Sequence, residues 1–152
     1  MSRRRSRIIA FQALYSWDVT RASLEDIMTF SWLQKDSEFS QNENSVKELS
    51  DTANDELVFA RFLIAGTIEH SSEIDKLIEE HLAANWSLER LNKVALAILR
   101  ISIYELRWQP DSKTKIIIDE AINIAKDFGA EDSYKFINAI LDKIGKNDGD
   151  KE

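Results

Sequence analysis

The chain has 152 residues, enough for one domain with a buried core, and its 43% hydrophobic content argues against a disordered chain. It has no cysteine, which excludes disulfides and thiolate ligands, and no apolar stretch typical of a signal peptide or membrane span, so we expect a cytoplasmic protein. The formal net charge is -7, yet residues 1–17 contain no acid and four arginines, Arg3, Arg4, Arg5 and Arg7. Such a segment favours binding to a polyanion, although an ordinary charged N-terminus explains it equally well.

Four glycines and one proline leave few turns, and apolar residues repeat at helical spacing, so we predict an all-α fold. The first helix is predicted over about 4–20. Ser23 and Asp26 predict the cap of a short second helix that ends near residue 33. Residues 34–56 are rich in acids and predict a long, mobile or partly helical connection, more simply a solvated insertion than a functional lid. A third helix is predicted to begin near Asn54.

Two helices are predicted in the middle of the chain. Ser71 or Ser72 caps the fourth in this prediction, and an apolar stripe follows at helical spacing. Ser87 caps a fifth helix that is apolar nearly all round, which is typical of a central helix with neighbours on several sides. Pro110 is expected to end it, because proline disfavours helix at the preceding residue.

Two further helices complete a predicted set of seven. The sixth covers about 115–128, and Gly129 is predicted to follow it in the left-handed conformation. Asp132 or Ser133 begins the seventh, which faces Ile137 and Leu141 inward.

The sequence gives little support for catalysis. His70 and His81 are the only histidines, and His81 lies on an apolar stripe, where a core role is commoner than a ligand role. Neither a Gly-rich phosphate loop nor a nucleophile motif is present. We therefore expect no enzyme activity, no metal site and no cofactor.

Nucleic-acid binding has better support on the first helix. Arg4, Ile8, Gln12 and Tyr15 share one side of it, opposite the apolar stripe. Guanidinium groups contact phosphates, an amide reads a base edge, and a tyrosine ring stacks on an unpaired base. The alternative for Tyr15 is a half-buried ring with its hydroxyl at the surface.

The start of the last helix is a second candidate surface. Tyr134, Lys135 and Phe136 combine two aromatic rings with a cation, although some of these rings must belong to the core. Asp132 lies beside them, and its simpler role is that of a helix cap.

Three separated segments resemble the NusB family of transcription antitermination factors. They are F-Q-A-L-Y-S-W at 11–17, L-R-I-S-I-Y-E-L at 99–106 and I-D-E-A-I-N-I-A-K-D-F-G-A-E-D-S-Y-K-F-I-N-A-I-L-D-K at 118–143. The chain departs from the family pattern at Ala95 and Leu96, where many members have a charged pair, and its acidic connection looks longer than usual.

The resemblance implies seven helices in two packed bundles within a single NusB-like domain. The N-terminal three-helix subdomain would cover about 1–70, with the acidic connection at 34–56. The C-terminal four-helix subdomain would cover about 71–146, and a frayed tail would follow at 147–152.

The resemblance also implies a non-enzymatic function. Such a protein would bind boxA-like single-stranded RNA together with ribosomal protein NusE, and would join an RNA polymerase antitermination complex on ribosomal RNA operons. The implied RNA-binding residues are Arg3, Arg4, Arg5, Arg7, Gln12, Tyr15, Asp132, Tyr134, Lys135 and Phe136. The implied partner surface lies around the fourth to sixth helices, with outward residues near Tyr104 and Glu105, and its implied partner-binding residues are Glu89, Arg90, Tyr104 and Glu105.

Two other hypotheses stay open. The chain could be a helical protein–protein adaptor without direct RNA binding, in which the arginines are incidental. It could also resemble the RNA-binding domains fused to ribosomal RNA methyltransferases, without methyl transfer, because no Rossmann-type glycine motif is present. A homodimer is compatible with each hypothesis.

Overall fold

The computed structural model describes residues 3–21, 23–28, 43–109, 113–130 and 132–149 of the chain. These residues form seven α-helices and one short 3₁₀ helix, and no strand occurs among them. In chain order the helices are α1 (Arg3–Thr20), α2 (Leu24–Met28), α3 (Glu43–Glu69), α4 (Ser71–Glu80), the 3₁₀ helix (Leu88–Arg90), α5 (Lys93–Trp108), α6 (Thr114–Phe128) and α7 (Ser133–Gly149). The predicted all-α fold is confirmed, and none of the described helices is long and apolar enough to cross a membrane.

Helix α5 lies at the centre of the molecule. It packs against α1, α3, α4, α6 and α7, and its side chains are buried from Ala95 to Glu105 without a break. A helix surrounded on every side needs apolar residues on every side, which explains its composition.

The other helices bury one face each. Helix α1 packs against α3 and α5 through Ala10, Ala13 and Leu14, which have no exposed surface. Helices α6 and α7 pack against each other and on α5, with Ile137 and Leu141 facing inward as predicted.

A buried arginine adds a polar connection between three helices. Arg100 on α5 donates through Nε and Nη2 to the carboxylate of Asp75 on α4, over 2.9 and 3.1 Å. Its Nη1 also lies 3.5 Å from Oδ2 of Asp18 on α1, an ion pair without hydrogen-bond geometry. The buried guanidinium is therefore paired, as a charge in a core must be.

The third helix begins earlier than predicted. It starts at Glu43, not near Asn54, so much of the predicted acidic connection is helical. Residues 43–65 contain neither proline nor glycine, and each residue added to an existing helix gains a backbone hydrogen bond even where its side chain is polar. The rest of that connection lies outside the described residues.

The caps agree with the sequence prediction at one helix and differ at two. Ser23 Oγ accepts a hydrogen bond from the backbone N–H of Asp26 (3.1 Å), as predicted, although the expected continuation of α2 to residue 33 lies outside the described residues. Ser87 is wrong as the cap of α5, because it precedes the 3₁₀ helix and makes no cap bond. Asn92 caps α5 instead, and its Oδ1 accepts from the backbone N–H groups of Val94 and Ala95.

Helix α4 begins without a side-chain cap. Neither Ser71 nor Ser72 serves, because His70 holds the N-cap position and makes no side-chain cap bond. Helix α3 ends at Glu69 only one residue before this point, and the backbone N–H of His70 still donates to the carbonyl of Gly66.

Gly129 does not adopt the predicted left-handed conformation. Its φ is -90° and its ψ is 176°, which is extended backbone. Glycine is needed there for space, since a Cβ atom would collide with Ser133 Oγ and lie 2.7 Å from the carbonyl oxygen of Ala125. Helix α7 then continues to Gly149, beyond the start of the predicted frayed tail. Helix α5 ends at Trp108, consistent with the expected effect of Pro110, which itself lies outside the described residues.

Candidate nucleic-acid interface

The arginines at the start of α1 meet three different helices. Arg4 pairs with a glutamate on α6, Arg5 with one on α3, and Arg7 with one on α5. The cationic segment that the sequence predicted as a free surface is therefore accompanied by carboxylates from all three helices around it.

Arg7 is half-buried in its pair with Glu105. Its Nε and Nη2 donate to the two carboxylate oxygens of Glu105 over 2.7 and 2.9 Å, and the side chains of Arg7 and Glu105 are 12% and 1% exposed. Burial lowers the pKa of Arg7, but the hydrogen bonds and charge of Glu105, with the charge of Glu120, together raise this pKa above its ordinary value. This guanidinium therefore stays charged and joins α1 to α5.

Arg4 and Arg5 remain open to solvent. Arg4 donates to Glu120 through Nε and Nη2 over 3.0 and 3.1 Å, and its side chain is 52% exposed. The hydrogen bonds to Glu120, and then its charge, raise the pKa of Arg4. Arg5 Nε lies 3.2 Å from Oε2 of Glu56, with the arginine 66% exposed and the glutamate 8% exposed. Both guanidinium groups can therefore reach an external anion while each keeps its carboxylate.

Arg3 has an aromatic neighbour. Its guanidinium carbon lies 3.7 Å from the ring centroid of Phe59 on α3, a cation–π geometry, and the arginine is exposed. The ring holds the charge at the surface beside Arg4 and Arg5.

Gln12 and Tyr15 lie further along α1 than the arginines. Gln12 is half-buried and Tyr15 is exposed. Next to them, the ring of Phe11 meets that of Phe128, the last residue of α6, edge to face at 5.3 Å between centroids. This contact brings the middle of α1 to the loop that leads into α7.

The end of α6 and the start of α7 form the α6–α7 corner, defined here as the described residues 126–130 and 132–136. Lys135 and Asp132 are exposed and form an ion pair at 3.7 Å, whereas Tyr134 and Phe136 are half-buried against the core. Lys126 from α6 places its Nζ 5.0 Å from the Tyr134 ring centroid. The corner thus joins a partly exposed aromatic ring to two ammonium groups.

Three residues of this region were missed by the sequence prediction. Lys126 lies on α6, and it becomes a neighbour of Tyr134 on α7 only when the chain folds. Glu56 and Glu120 pair with arginines far away in the chain, and each looks like an ordinary acid on a solvated helix face. Nothing in the local sequence marks them.

The described interface combines guanidinium groups, an amide, a phenol and ammonium groups. These groups bind phosphate oxygens and stack on bases, which suits single-stranded nucleic acid. Within the described part of the chain, no group of three or more potential ligand residues could hold a metal ion.

The predicted partner-binding residues are not all on the surface. Tyr104 and Glu105, which we expected at the partner surface, are buried, because central helix α5 has a neighbour on every side. The ring of Tyr104 stacks with those of His70 and Trp108, both at 6.0 Å between centroids. Glu105 is the buried partner of an arginine on α1, described above.

Glu89 and Arg90 are exposed, as expected. They lie on the 3₁₀ helix between α4 and α5, and Arg90 Nη1 donates to the carbonyl of Asn85 (3.2 Å). Ala95 and Leu96, the departure from the family pattern, are buried in the core, which explains why a charged pair is absent.

The comparisons with known proteins agree with one another. The sequence model described as NusB family matches residues 4–146. A transcription antitermination protein NusB of Treponema denticola is 51% identical over 144 residues, which cover 95% of this chain and 96% of that protein. A structure of T. maritima NusB has a TM-score of 0.75 at 37% identity, covering 96% of this chain and 92% of the other. A crystal structure of antitermination factors NusB and NusE with double-stranded RNA contains a chain with a TM-score of 0.75 at 25% identity, covering 95% of this chain and 96% of that one.

Proposed function

The chain belongs to the NusB family, and we propose that it is a transcription antitermination factor that binds boxA-like single-stranded RNA together with ribosomal protein NusE. In this proposal it acts in the cytoplasm as a binding protein, not as an enzyme. It joins an RNA polymerase antitermination complex and promotes processive transcription of ribosomal RNA operons. The solved complex of related NusB and NusE proteins with RNA supports both partners.

One observation carries the proposal, namely the contact between α1 and the α6–α7 corner. The Phe11–Phe128 ring contact joins the middle of α1 to the end of α6, and Tyr134 and Lys135 follow Phe128 shortly afterwards in the corner. This contact supports the proposal that the two candidate surfaces, more than a hundred residues apart in the sequence, act as one basic and aromatic face.

We assign roles to the proposed RNA-binding residues from the solvent exposure of their side chains. Arg3, Arg4 and Arg5 attract the RNA backbone, because their guanidinium groups are exposed. Arg7 stabilises the site through its largely buried ion pair with Glu105 on α5. Tyr15 stacks on an unpaired base.

The remaining proposed RNA contacts lie beside Tyr15. Gln12 reads a base edge, and the corner residues Asp132, Tyr134, Lys135 and Phe136 complete the surface. Glu89 and Arg90 contribute to the NusE-facing surface, since they are the exposed members of the predicted set.

RNA binding is tested by measuring fluorescence anisotropy with labelled RNA, with and without NusE, at two salt concentrations. The RNAs are a boxA-like single strand, a scrambled strand of the same composition, and the boxA-like sequence as a duplex. We expect the boxA-like single strand to bind best and its affinity to fall as salt rises, because arginines displace counterions from phosphates. Preference for the duplex, or equal binding to all three RNAs, contradicts the proposed preference for a boxA-like single strand.

The arginine contribution is tested with the double variant Arg4→Gln/Arg5→Gln. We expect at least about tenfold weaker binding and a salt slope lowered by about 0.7 for each phosphate that an arginine no longer neutralises. The matched control Lys76→Gln/Lys143→Gln removes two exposed positive charges from α4 and α7 and leaves the affinity near that of the wild type. Helicity by circular dichroism should be unchanged in both variants.

The adaptor hypothesis makes the opposite prediction. A pure protein-interaction module retains NusE on a column but binds none of the RNAs, even with NusE present. Finding NusE retention together with wild-type RNA binding by the Arg4→Gln/Arg5→Gln variant would also remove these arginines from the site.

A further inference from the structure

We propose that Glu120 and Glu56 are positioning and specificity-determining residues of this RNA site, acting as fixed counter-charges to Arg4 and Arg5. They lower the affinity of the site for polyanions in general. They also orient the guanidinium groups of Arg4 and Arg5 toward a phosphate that base contacts have already positioned. This inference rests on the proposed function.

The first step of the argument concerns charge. Arg4 and Glu120 lie 3.0 Å apart at their nearest atoms, and Arg5 and Glu56 lie 3.2 Å apart. Each pair is neutral as a whole, so its field falls off faster with distance than the field of a lone arginine. Non-specific RNA binding comes almost entirely from such fields, and it is therefore weaker than four arginines would suggest.

The second step concerns geometry. Glu120 occupies the Nε and Nη2 edge of Arg4, which uses two of the five N–H groups of the guanidinium. The edge that carries Nη1 stays available to a phosphate. A phosphate held there by neighbouring base contacts meets an arginine already fixed in orientation, which offsets the repulsion from the Glu120 carboxylate.

The third step concerns how firmly the carboxylates are held. The side chains of Glu120 and Glu56 are far less exposed than their arginines. The backbone of Glu56 is fixed as well, because its carbonyl accepts a hydrogen bond from the buried hydroxyl of Ser6 (2.9 Å). The arginines therefore adjust to the carboxylates, which stay in place when RNA arrives.

The pair between Arg7 and Glu105 serves as a contrast. Glu105 is buried and Arg7 is only 12% exposed, so this guanidinium is far less accessible to a phosphate than those of Arg4 and Arg5. The counter-charge role belongs to the two pairs whose arginines are exposed.

The test compares Glu120→Gln with the wild type in binding to the boxA-like strand and to the scrambled strand. Glutamine keeps the shape and one acceptor oxygen of glutamate but removes its charge. We expect scrambled RNA to bind about fourfold more tightly at low salt, the effect of one unit charge at about 5 Å in water. The affinity for the boxA-like strand should change less than twofold, so the preference for it falls.

The controls separate this effect from net charge and from folding. Glu79→Gln removes the same charge from an exposed position on α4 and should leave both affinities unchanged. Glu120→Asp restores the charge with a shorter reach and should return scrambled-RNA binding to the wild-type level. Glu56→Gln tests the same idea on α3, independently of any effect of the Glu120 substitution on folding.

The outcomes distinguish this inference from the proposed function. A wild-type protein without preference for the boxA-like strand contradicts the proposed function itself. If the wild type shows the preference and Glu120→Gln and Glu56→Gln either leave scrambled binding unchanged or tighten both RNAs equally, the counter-charge role is wrong while the proposed function stands.

Discussion

Arg7 shows how far a residue's neighbours decide its role. In the sequence it is one of four similar arginines, but in the structure it alone is enclosed, with a carboxylate from central helix α5. The pair joins residues 98 positions apart, so no local pattern could predict it. Spacing predicts which residues share a helix face, whereas the partner of a charge depends on how helices pack.

The first prediction concerns this pair. The variant Arg7→Met should lower the free energy of unfolding by about 3–5 kcal/mol, because it leaves Glu105 buried without a partner. Urea unfolding followed by circular dichroism measures the change. The double variant Arg7→Met/Glu105→Leu should recover much of the loss, since it removes the stranded charge as well. A single variant as stable as the wild type would show that the carboxylate finds another partner.

The second prediction concerns Gly66 on α3. A Cβ atom there would overlap the ring of Tyr104, whose Cε2 would lie 2.6 Å away. Alanine normally favours a helix over glycine, yet Gly66→Ala should destabilise the fold by about 1–3 kcal/mol through this overlap. Thermal unfolding tests it, and the double variant Gly66→Ala/Tyr104→Leu should regain part of the loss. A higher melting temperature for Gly66→Ala alone would contradict the close packing.

At the scale of the helix, the apolar pattern predicted the number of helices well and their first and last residues less well. The sequence predicted seven helices because a helix that buries one face has apolar residues at regular helical spacing. It misplaced the start of α3, because polar helical residues and polar loop residues look alike in composition. It also named Ser87 as the cap of α5 and missed Asn92, since both are good capping residues and only the backbone between them shows which one faces free N–H groups.

The third prediction uses these two capping candidates as a matched pair. Asn92→Ala should cost about 1 kcal/mol of unfolding free energy, because it removes the acceptor for two backbone N–H groups of α5. Ser87→Ala should change it by less than about 0.5 kcal/mol, since Ser87 makes no cap bond. Chemical denaturation of the two variants side by side decides the matter. A larger loss for Ser87→Ala would reverse the assignment.

At the scale of the whole molecule, the candidate site draws on both ends of the chain. The sequence predicted its two surfaces separately from local composition, and only the resemblance to a family joined them. Their juxtaposition depends on side-chain contacts between α1 and α6, such as Phe11 with Phe128 and Arg4 with Glu120, and long-range contacts of this kind have no local signature. The two subdomains that we propose, over about 1–70 and 71–146, meet along α5, which contacts α1 and α3 as well as α4, α6 and α7.

The fourth prediction follows from this central position of α5. Unfolding should be a single cooperative transition, because neither proposed subdomain keeps its core once α5 unfolds. Circular dichroism and tryptophan fluorescence, which reports on all four tryptophans and so includes Trp17 in α1 and Trp108 in α5, should give the same midpoint in urea. Separate midpoints would show that the subdomains unfold independently.

The edge-to-face contact of Phe11 with Phe128 has a consequence for the thermodynamics of recognition. It holds the two parts of the proposed site together before any ligand arrives. On binding, most of the conformational entropy is then lost by the flexible single strand and not by the protein. The strand must be ordered along a surface that is already formed. A protein built this way selects among RNAs partly by how easily each strand can be ordered.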